Sequence, residues 1–303
     1  MPVPGGHGDS AAVGGKPGNL ADDGSLEKGG GGGGGGGGGS KAAGIIFSKA
    51  RIFEAVEKDR GDLALLACCF VTGLVDAAVF SNWGLFVGMQ TGNTVILGLS
   101  ASGLPDNPHA WLTTLVSIAC FLIGAFLTFR LSKILTPNGP ASNRLWCGML
   151  FFLQGLLILV AAALSTPQGL IPQNPGHTNR YTPASISVKD NIRIVSLIPP
   201  LAFQAGMQIA SSRLLGFNEL PVNVLTSTYC DIMGDFQLLA LNNVKRNRRV
   251  AAAVLLLAGA ICSGWMMRSA GGLMSVFWLG GGVKVLTGVV MWCCMPAAAA
   301  AKS

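Results

Sequence analysis

Apolar runs long enough to cross a membrane recur six times in this chain, at about residues 63–83, 111–131, 145–164, 194–215, 250–267 and 273–295. A helix crossing a hydrocarbon layer ~30 Å thick needs about 20 such residues, since each adds only about 1.5 Å of rise. A soluble core has no use for so many. The charge content agrees, because only 12% of the 303 residues are Asp, Glu, Lys or Arg, about half the share usual in a soluble domain. The expected fold class is all-α, a polytopic transmembrane helix bundle.

Composition divides the chain. Residues 1–60 hold Gly, Ser, Asp and Lys with few large apolar side chains, and Gly29 to Gly39 is an unbroken glycine run. Such a stretch cannot bury enough surface to offset its ordering entropy, so it reads as a disordered cytosolic tail. It lacks the basic-then-apolar pattern of a cleavable signal, which leaves the first span as the insertion signal. Residues 61–296 form the expected transmembrane domain, followed by a short tail at 297–303. The net charge of +7 lies in loops between spans, where membrane orientation explains it better than nucleic acid does.

Enzyme signatures are missing. His7, His109 and His177 lie in the tail or in loops, and no HExxH, GxSxG, Walker or Rossmann pattern occurs in a usable context. The eight cysteines fall in apolar segments without a CxxC, which suits packing better than disulfides or zinc. Neither cofactor nor metal is expected, and an intramembrane enzyme is the least favoured class.

Two further segments, 84–101 and 221–241, are apolar but carry polar clusters: Gln90-Thr91-Gly92-Asn93-Thr94 in the first, and Thr226-Ser227-Thr228 with Asp231 and Asp235 in the second. If both dip in and return, six helices cross and both termini share one side. That side then receives Lys49, Arg51, Lys58 and Arg60, then Arg130, Lys133 and Arg144, and finally Lys245, Arg246, Arg248 and Arg249. The other side receives the 102–110 loop without Lys or Arg, the 165–193 loop, and the turn at Arg268. This is the positive-inside pattern, with both termini cytosolic. If both segments cross, eight helices result and Arg130, Lys133 and Arg144 fall outside. Six spans fit the charges better, although Arg180, Lys189 and Arg193 of the 165–193 loop count against them.

The two ambiguous segments occupy equivalent places. Phe70-Val71-Thr72-Gly73 is echoed by Phe203-Gln204-Ala205-Gly206 at an offset of 133, Thr91 by Thr226 at 135, and Gly124-Ala125 by Gly259-Ala260 at 135. The expectation is two repeats, about 62–164 and 194–295, each with three spans and one broken or re-entrant segment. Three crossings per unit turn the second copy upside down. Inverted repeats with discontinuous segments recur in secondary transporters.

Charges inside apolar spans need a reason, since each costs at least about 2.5 kcal/mol near the bilayer centre. Asp76 lies deep in the first span and Lys284 near the middle of the last. Asp231 and Asp235 stand four apart, as on one helix face, and Gln204 and Gln208 repeat that spacing. The functional reading makes Asp76 or the Asp231/Asp235 pair a proton- or cation-coupling carboxylate, with Lys284 as counter-charge. The bland one pairs Asp76 with Lys284 as a structural ion pair. Thr91-Gly92-Asn93-Thr94 reads either as a helix break whose freed backbone binds a ligand, or as a bent span. Gly73, Gly124, Gly155, Gly259 and Gly264 are expected to allow close helix packing.

Phe70-Val71-Thr72-Gly73-Leu74-Val75-Asp76-Ala77, Met89-Gln90-Thr91-Gly92-Asn93-Thr94-Val95, Ala205-Gly206-Met207-Gln208 and Leu225-Thr226-Ser227-Thr228 resemble the YoaK-like membrane proteins of bacteria and fungi. That family is a domain of unknown function with multi-pass topology. The resemblance covers about 62–295 and implies no active-site roles. The leading functional expectation is a small-solute or ion transporter, proton-coupled through a buried carboxylate. Its pathway would be lined by Asp76, Gln90, Thr91, Asn93, Thr94, Gln204, Gln208, Thr226, Thr228, Asp231, Asp235 and Lys284. The alternative is a non-transporting membrane scaffold or assembly protein. The partners implied are the lipid bilayer and a small solute or ion, with a homo-oligomer allowed.

Overall fold

The computed structural model describes residues 54–57, 61–105, 107–166, 192–220 and 222–297. Most of the expected tails and of the 165–193 loop lies outside the described residues; residues 54–57 and Ala297, assigned to those tails, are described, and Val56 is buried. Eight α-helices occur among them: α1 Gly61–Trp83, α2 Gln90–Ala101, α3 Ala110–Leu135, α4 Arg144–Leu164, α5 Ile198–Leu215, α6 Thr226–Met233, α7 Val244–Met267 and α8 Gly272–Cys293. A 3-10 turn over Ile192–Leu197 leads into α5. Six of these helices are long and apolar enough to cross a membrane. With 12 and 8 residues, α2 and α6 reach only about 18 Å and 12 Å, too short to span. The chain is therefore a multi-pass integral membrane protein with six spans.

On helices α3 and α7, burial runs inside out relative to a soluble bundle. Helix α3 buries Ala110, Thr113, Thr114, Ser117, Gly124, Thr128 and Ser132, while Leu122, Ile123 and Phe126 stay exposed. Helix α7 buries only Ala252, Gly259 and Ser263, with Val254, Leu257 and Ile261 outward. Small and polar faces turned inward and branched apolar side chains turned outward suit a hydrocarbon solvent, where leucine gains nothing by hiding.

Glycines set the closest approaches. Helices α1 and α7 cross at Gly73 and Gly259: a Cβ on Gly73 would stand 1.9 Å from the Leu256 carbonyl oxygen, and one on Gly259 2.0 Å from that of Phe70. Helices α3 and α5 cross in the same way: a Cβ on Gly124 would stand 2.2 Å from the Phe203 oxygen and one on Gly206 2.1 Å from the Phe121 oxygen. Between α4 and α8, a Cβ on Gly155 would stand 2.6 Å from Val285 N and one on Gly288 2.6 Å from Phe152 N. Gly264 departs from expectation, because a Cβ placed on it would meet open space.

One end of the bundle is tied by Arg144. Its guanidinium donates to Glu54 Oε2 at 3.2 Å and to the Met295 carbonyl at 2.5 Å, joining the segment before α1, the start of α4 and the end of α8. An antiparallel bridge between Val56 and Ala297 closes the same knot. Arg248 adds Asp62 at 2.9 Å and Glu219 at 3.3 Å. Lys245, Arg246, Arg248 and Arg249 do not stand in a loop: they lie in the first turns of α7, capped by Asn243, whose side chain accepts from Arg246 N. Cations at a helix N-terminus are disfavoured, and Asp62, Glu219 and Asp231 offset that.

Both short helices are preceded by a chain reversal. Gly84 ends α1 at φ +69° and Gly216 ends α5 at φ +87°, the left-handed geometry glycine adopts without a Cβ clash. After each, the chain runs back along the helix it has just left. Val87 and Gly88 donate to Asp76, seven residues before the end of α1. Asn223 accepts from Gln208, seven residues before the end of α5. Seven residues are about 10 Å, so each segment re-enters by that depth before α2 or α6 leads it back out.

Gly259→Val inserts side-chain atoms where backbone already stands and is expected to lower the melting temperature of the detergent-solubilised protein sharply, by more than the 1–3 kcal/mol of ordinary overpacking. Gly264→Val, in the same helix with open space, should leave it unchanged. Arg144→Met strips the Met295 carbonyl of its donor, and a loss of about 1–3 kcal/mol should appear in the same melting measurement.

Candidate functional site

A layer of polar side chains crosses the middle of the bundle between two apolar clusters. One cluster includes Val75, Val79, Trp83, Leu85, Ile158, Leu197 and Phe277. The other includes Leu65, Cys69, Cys147, Phe151, Leu215, Leu220 and Met291. Between them lie Thr72, Gln154, Gln204, Gln208, Ser211, Asn223 and Lys284, with Asp76 set beside Val75 and Val87 of the first cluster, all buried. Polar groups are thus concentrated at mid-depth, with apolar residues toward both ends.

Lys284 is 1% exposed. Its ammonium donates to Gln154 Oε1 at 3.0 Å, to Gln204 Oε1 at 2.5 Å and to Gln208 Oε1. An ammonium has three N–H donors and no acceptor, so every donor is used. The expected pairing of Asp76 with Lys284 does not form; carboxamides from α4 and α5 take that place.

The glutamine orientations follow from their other contacts. Gln204 Nε2 donates to the Leu201 carbonyl at 2.9 Å, and Gln154 Nε2 donates to Ser211 Oγ at 3.2 Å. Ser211 itself donates to the Met207 carbonyl. Gln208 Nε2 donates to Asn223 Oδ1 at 2.6 Å and to Thr72 Oγ1 at 2.7 Å, while Asn223 Nδ2 donates to the Ala205 carbonyl at 3.2 Å. Backbone carbonyls of α5 accept only, so they dictate which end of each amide turns away and leave the three oxygens facing Lys284.

Asp76 is 3% exposed. Its Oδ1 accepts from Val87 N at 2.8 Å and Gly88 N at 2.9 Å, fastening the first re-entrant segment to α1. Its Oδ2 has no hydrogen-bond partner among the described residues. A Cβ on Gly88 would stand 2.7 Å from that oxygen and 3.5 Å from Asn223 Nδ2. The tips of both re-entrant segments thus converge beside the free oxygen of Asp76, across Asn223 from the lysine cage.

Gln90 and Asn93 serve the first segment rather than the cage. Asn93 Oδ1 accepts from Phe86 N at 2.9 Å, and its Nδ2 donates to the Phe86 carbonyl at 2.6 Å, to Gln90 Oε1 and to Ser117 Oγ. Gln90 donates to the Val87 carbonyl at 2.8 Å. Together they clasp the 84–89 turn against α3. The helix break expected at Thr91–Thr94 lies instead at 84–89: those four residues open α2, and Gly92 is small because a Cβ there would meet the Phe86 ring at 2.8 Å.

The remaining candidates lie apart from the buried layer. Thr91, Thr94 and Thr226 are exposed, and Thr228 Oγ1 donates to the Val224 carbonyl. Asp231 pairs with Arg249 at 3.3 Å and is 51% exposed. Asp235 does not share a helix face with it, because α6 ends at Met233. Hydrogen bonds from the Gln237 amide and the Asn243 side chain hold its carboxyl below the ordinary carboxylate range. Thr72, Gln154, Ser211 and Asn223 were not anticipated. Gln154 alone carried a signal, as an amide within an otherwise apolar run.

The eight cysteines are free thiols, and no group of three or more His, Cys, Asp or Glu that could hold a metal occurs among the described residues. No curated protein and no solved structure matches the chain. The family model described as "Protein of unknown function (DUF1275)" matches residues 64–290, from the first turn of α1 to the last turn of α8, and takes in the whole polar layer. The chain belongs to that uncharacterised family.

Proposed function

We propose that the protein transports a small solute or ion through the polar layer, with Asp76 as the coupling carboxylate, and that it is not an enzyme. The observation that carries this reading is the free Oδ2 of Asp76, buried within the spanning bundle where both re-entrant segments meet. An ionised carboxylate so placed lacks any compensating cation, which costs several kcal/mol. A proton or a solute cation relieves that cost, and exchange between the two is coupling. The apolar clusters on either side of the layer suit the occluded stage of such a cycle.

The architecture we infer is two inverted repeats, about 62–164 and 194–295. Their support is the matched use of glycine: Gly73 and Gly206 open equivalent crossings, Gly124 and Gly259 complete them, and α4 meets α8 through reciprocal contacts of Gly155 and Gly288. The two re-entrant segments, both following a left-handed glycine, add to it. The end bearing Arg130, Lys133, Arg144, Arg213 and the cations of α7 is taken as cytosolic, with both termini there, by the positive-inside rule. The YoaK-like attribution rests on the four motifs of the sequence, chiefly the Gly73-Leu74-Val75-Asp76-Ala77 and Thr91-Gly92-Asn93 elements.

A scaffold role is the second reading, favoured by the saturated donors of Lys284. The two differ in what they demand of the buried charges. Uptake of radiolabelled methylammonium, rubidium, amino acids and sugars into vesicles containing the purified protein should identify a solute whose entry Asp76→Asn reduces at least about tenfold, one decade being 1.36 kcal/mol in barrier. Asp231→Asn, at the surface, should leave uptake unchanged; equal uptake by wild type and Asp76→Asn refutes the coupling role. Under the scaffold reading, Asp76→Leu combined with Lys284→Leu should fold and melt like wild type, since buried charges can often be replaced by apolar side chains.

A further inference from the structure

The cage around Lys284 is built independently of the lysine it holds. Each glutamine is turned by a partner other than Lys284: Gln204 by the Leu201 carbonyl, Gln154 by Ser211 and through it the Met207 carbonyl, Gln208 by Asn223 and through it the Ala205 carbonyl. Those carbonyls belong to one helix, α5, and none can donate. Removing the ammonium would therefore leave three carboxamide oxygens still aimed at one point.

The chemistry of that point is narrow. Three acceptors converge and no donor is free, so an anion finds nothing to bind. The oxygens are neutral, whereas a divalent ion calls for carboxylates and more ligands. Neutral carbonyl-type oxygens replacing a hydration shell suit a monovalent cation. Distances of 3.0 Å and 2.5 Å to Nζ lie on either side of the charge-assisted N–H···O range, about 2.7–2.9 Å in general.

We propose that Gln154, Gln204 and Gln208 form a binding site for a monovalent cation of the ammonium class, in which Lys284 is a tethered occupant that the transported cation displaces. This names the solute class and rests on the transport reading for its physiological role. The site's existence stands on the cage alone. A tethered occupant competes at high effective concentration, so the cage holds Lys284 when no solute cation is bound and is never left bare.

The test is the melting temperature of the purified full-length Lys284→Ala protein, titrated with methylammonium chloride and, at matched ionic strength, with choline chloride, whose nitrogen carries no N–H. Methylammonium should raise it saturably and choline should not. Wild type should need at least roughly tenfold more methylammonium, because its own ammonium competes. Adding Gln204→Leu should abolish the response, and Lys284→Met, which keeps the stem and fills the cage with a methyl group, should show none. A folded Lys284→Ala protein without a methylammonium-specific shift overturns the site, as does a shift that survives Gln204→Leu. If Lys284→Ala folds only when purified with methylammonium, the site is supported. If it folds neither with nor without the amine, the site is refuted, since a cage for free cations must be rescued by one. Binding in Lys284→Ala with no methylammonium uptake by wild-type vesicles overturns the transported-solute assignment and leaves the site standing.

Discussion

An ammonium in hydrocarbon must have all of its donors met, and meeting those of Lys284 organises the centre of this protein. Three glutamines from two helices reach it, and their amides must be turned correctly before they can. That requirement brings Ser211, Asn223 and Thr72 into the layer and fixes the second re-entrant segment against α1 and α5. Helix α5 is consequently the most buried of the spans, at 67%, because three of its backbone carbonyls anchor the network. The other buried charge, Asp76, performs the same task for the first re-entrant segment, with one oxygen used and one free.

The rest of the architecture makes that layer attainable. Backbones crossing within a methyl group's width, at Gly73 and Gly259 and again at Gly124 and Gly206, bring α1 and α5 into the interior and leave α3 and α7 facing lipid. Lipid offers no hydrophobic drive for helix association, so close packing and polar contacts hold the bundle together. The Arg144 knot does the same at one end, where Glu54 and the carbonyls of Met295 and Trp292 converge on one guanidinium. The apolar clusters above and below the layer keep water from competing for its hydrogen bonds.

The six spans were legible from length and hydropathy, because a run of about 20 apolar residues has one economical use. So were the two segments that interrupt them, and the burial of Asp76, Gln204, Gln208 and Lys284. The location of the break was not. Thr91-Gly92-Asn93-Thr94 has the composition of an irregular segment, yet it opens α2, since Asn93 spends its amide on Phe86, seven residues earlier. Nor did the four-residue spacing of Asp231 and Asp235 signify a shared face: one turn of helix ends between them, and both carboxylates lie at the surface.

What the sequence by itself determined is the solvent each segment must meet: apolar length dictates a crossing, and a charge within it dictates an enclosed partner. Which partner it meets was decided only by the tertiary structure. Asp76 and Lys284 read as a pair because opposite charges attract, but helices meet where glycines let their backbones touch. Those crossings present Lys284 to carboxamides from α4 and α5, and Asp76 to the amides of Val87 and Gly88. Partner choice is a property of how helices cross, and no local pattern along the chain encodes it.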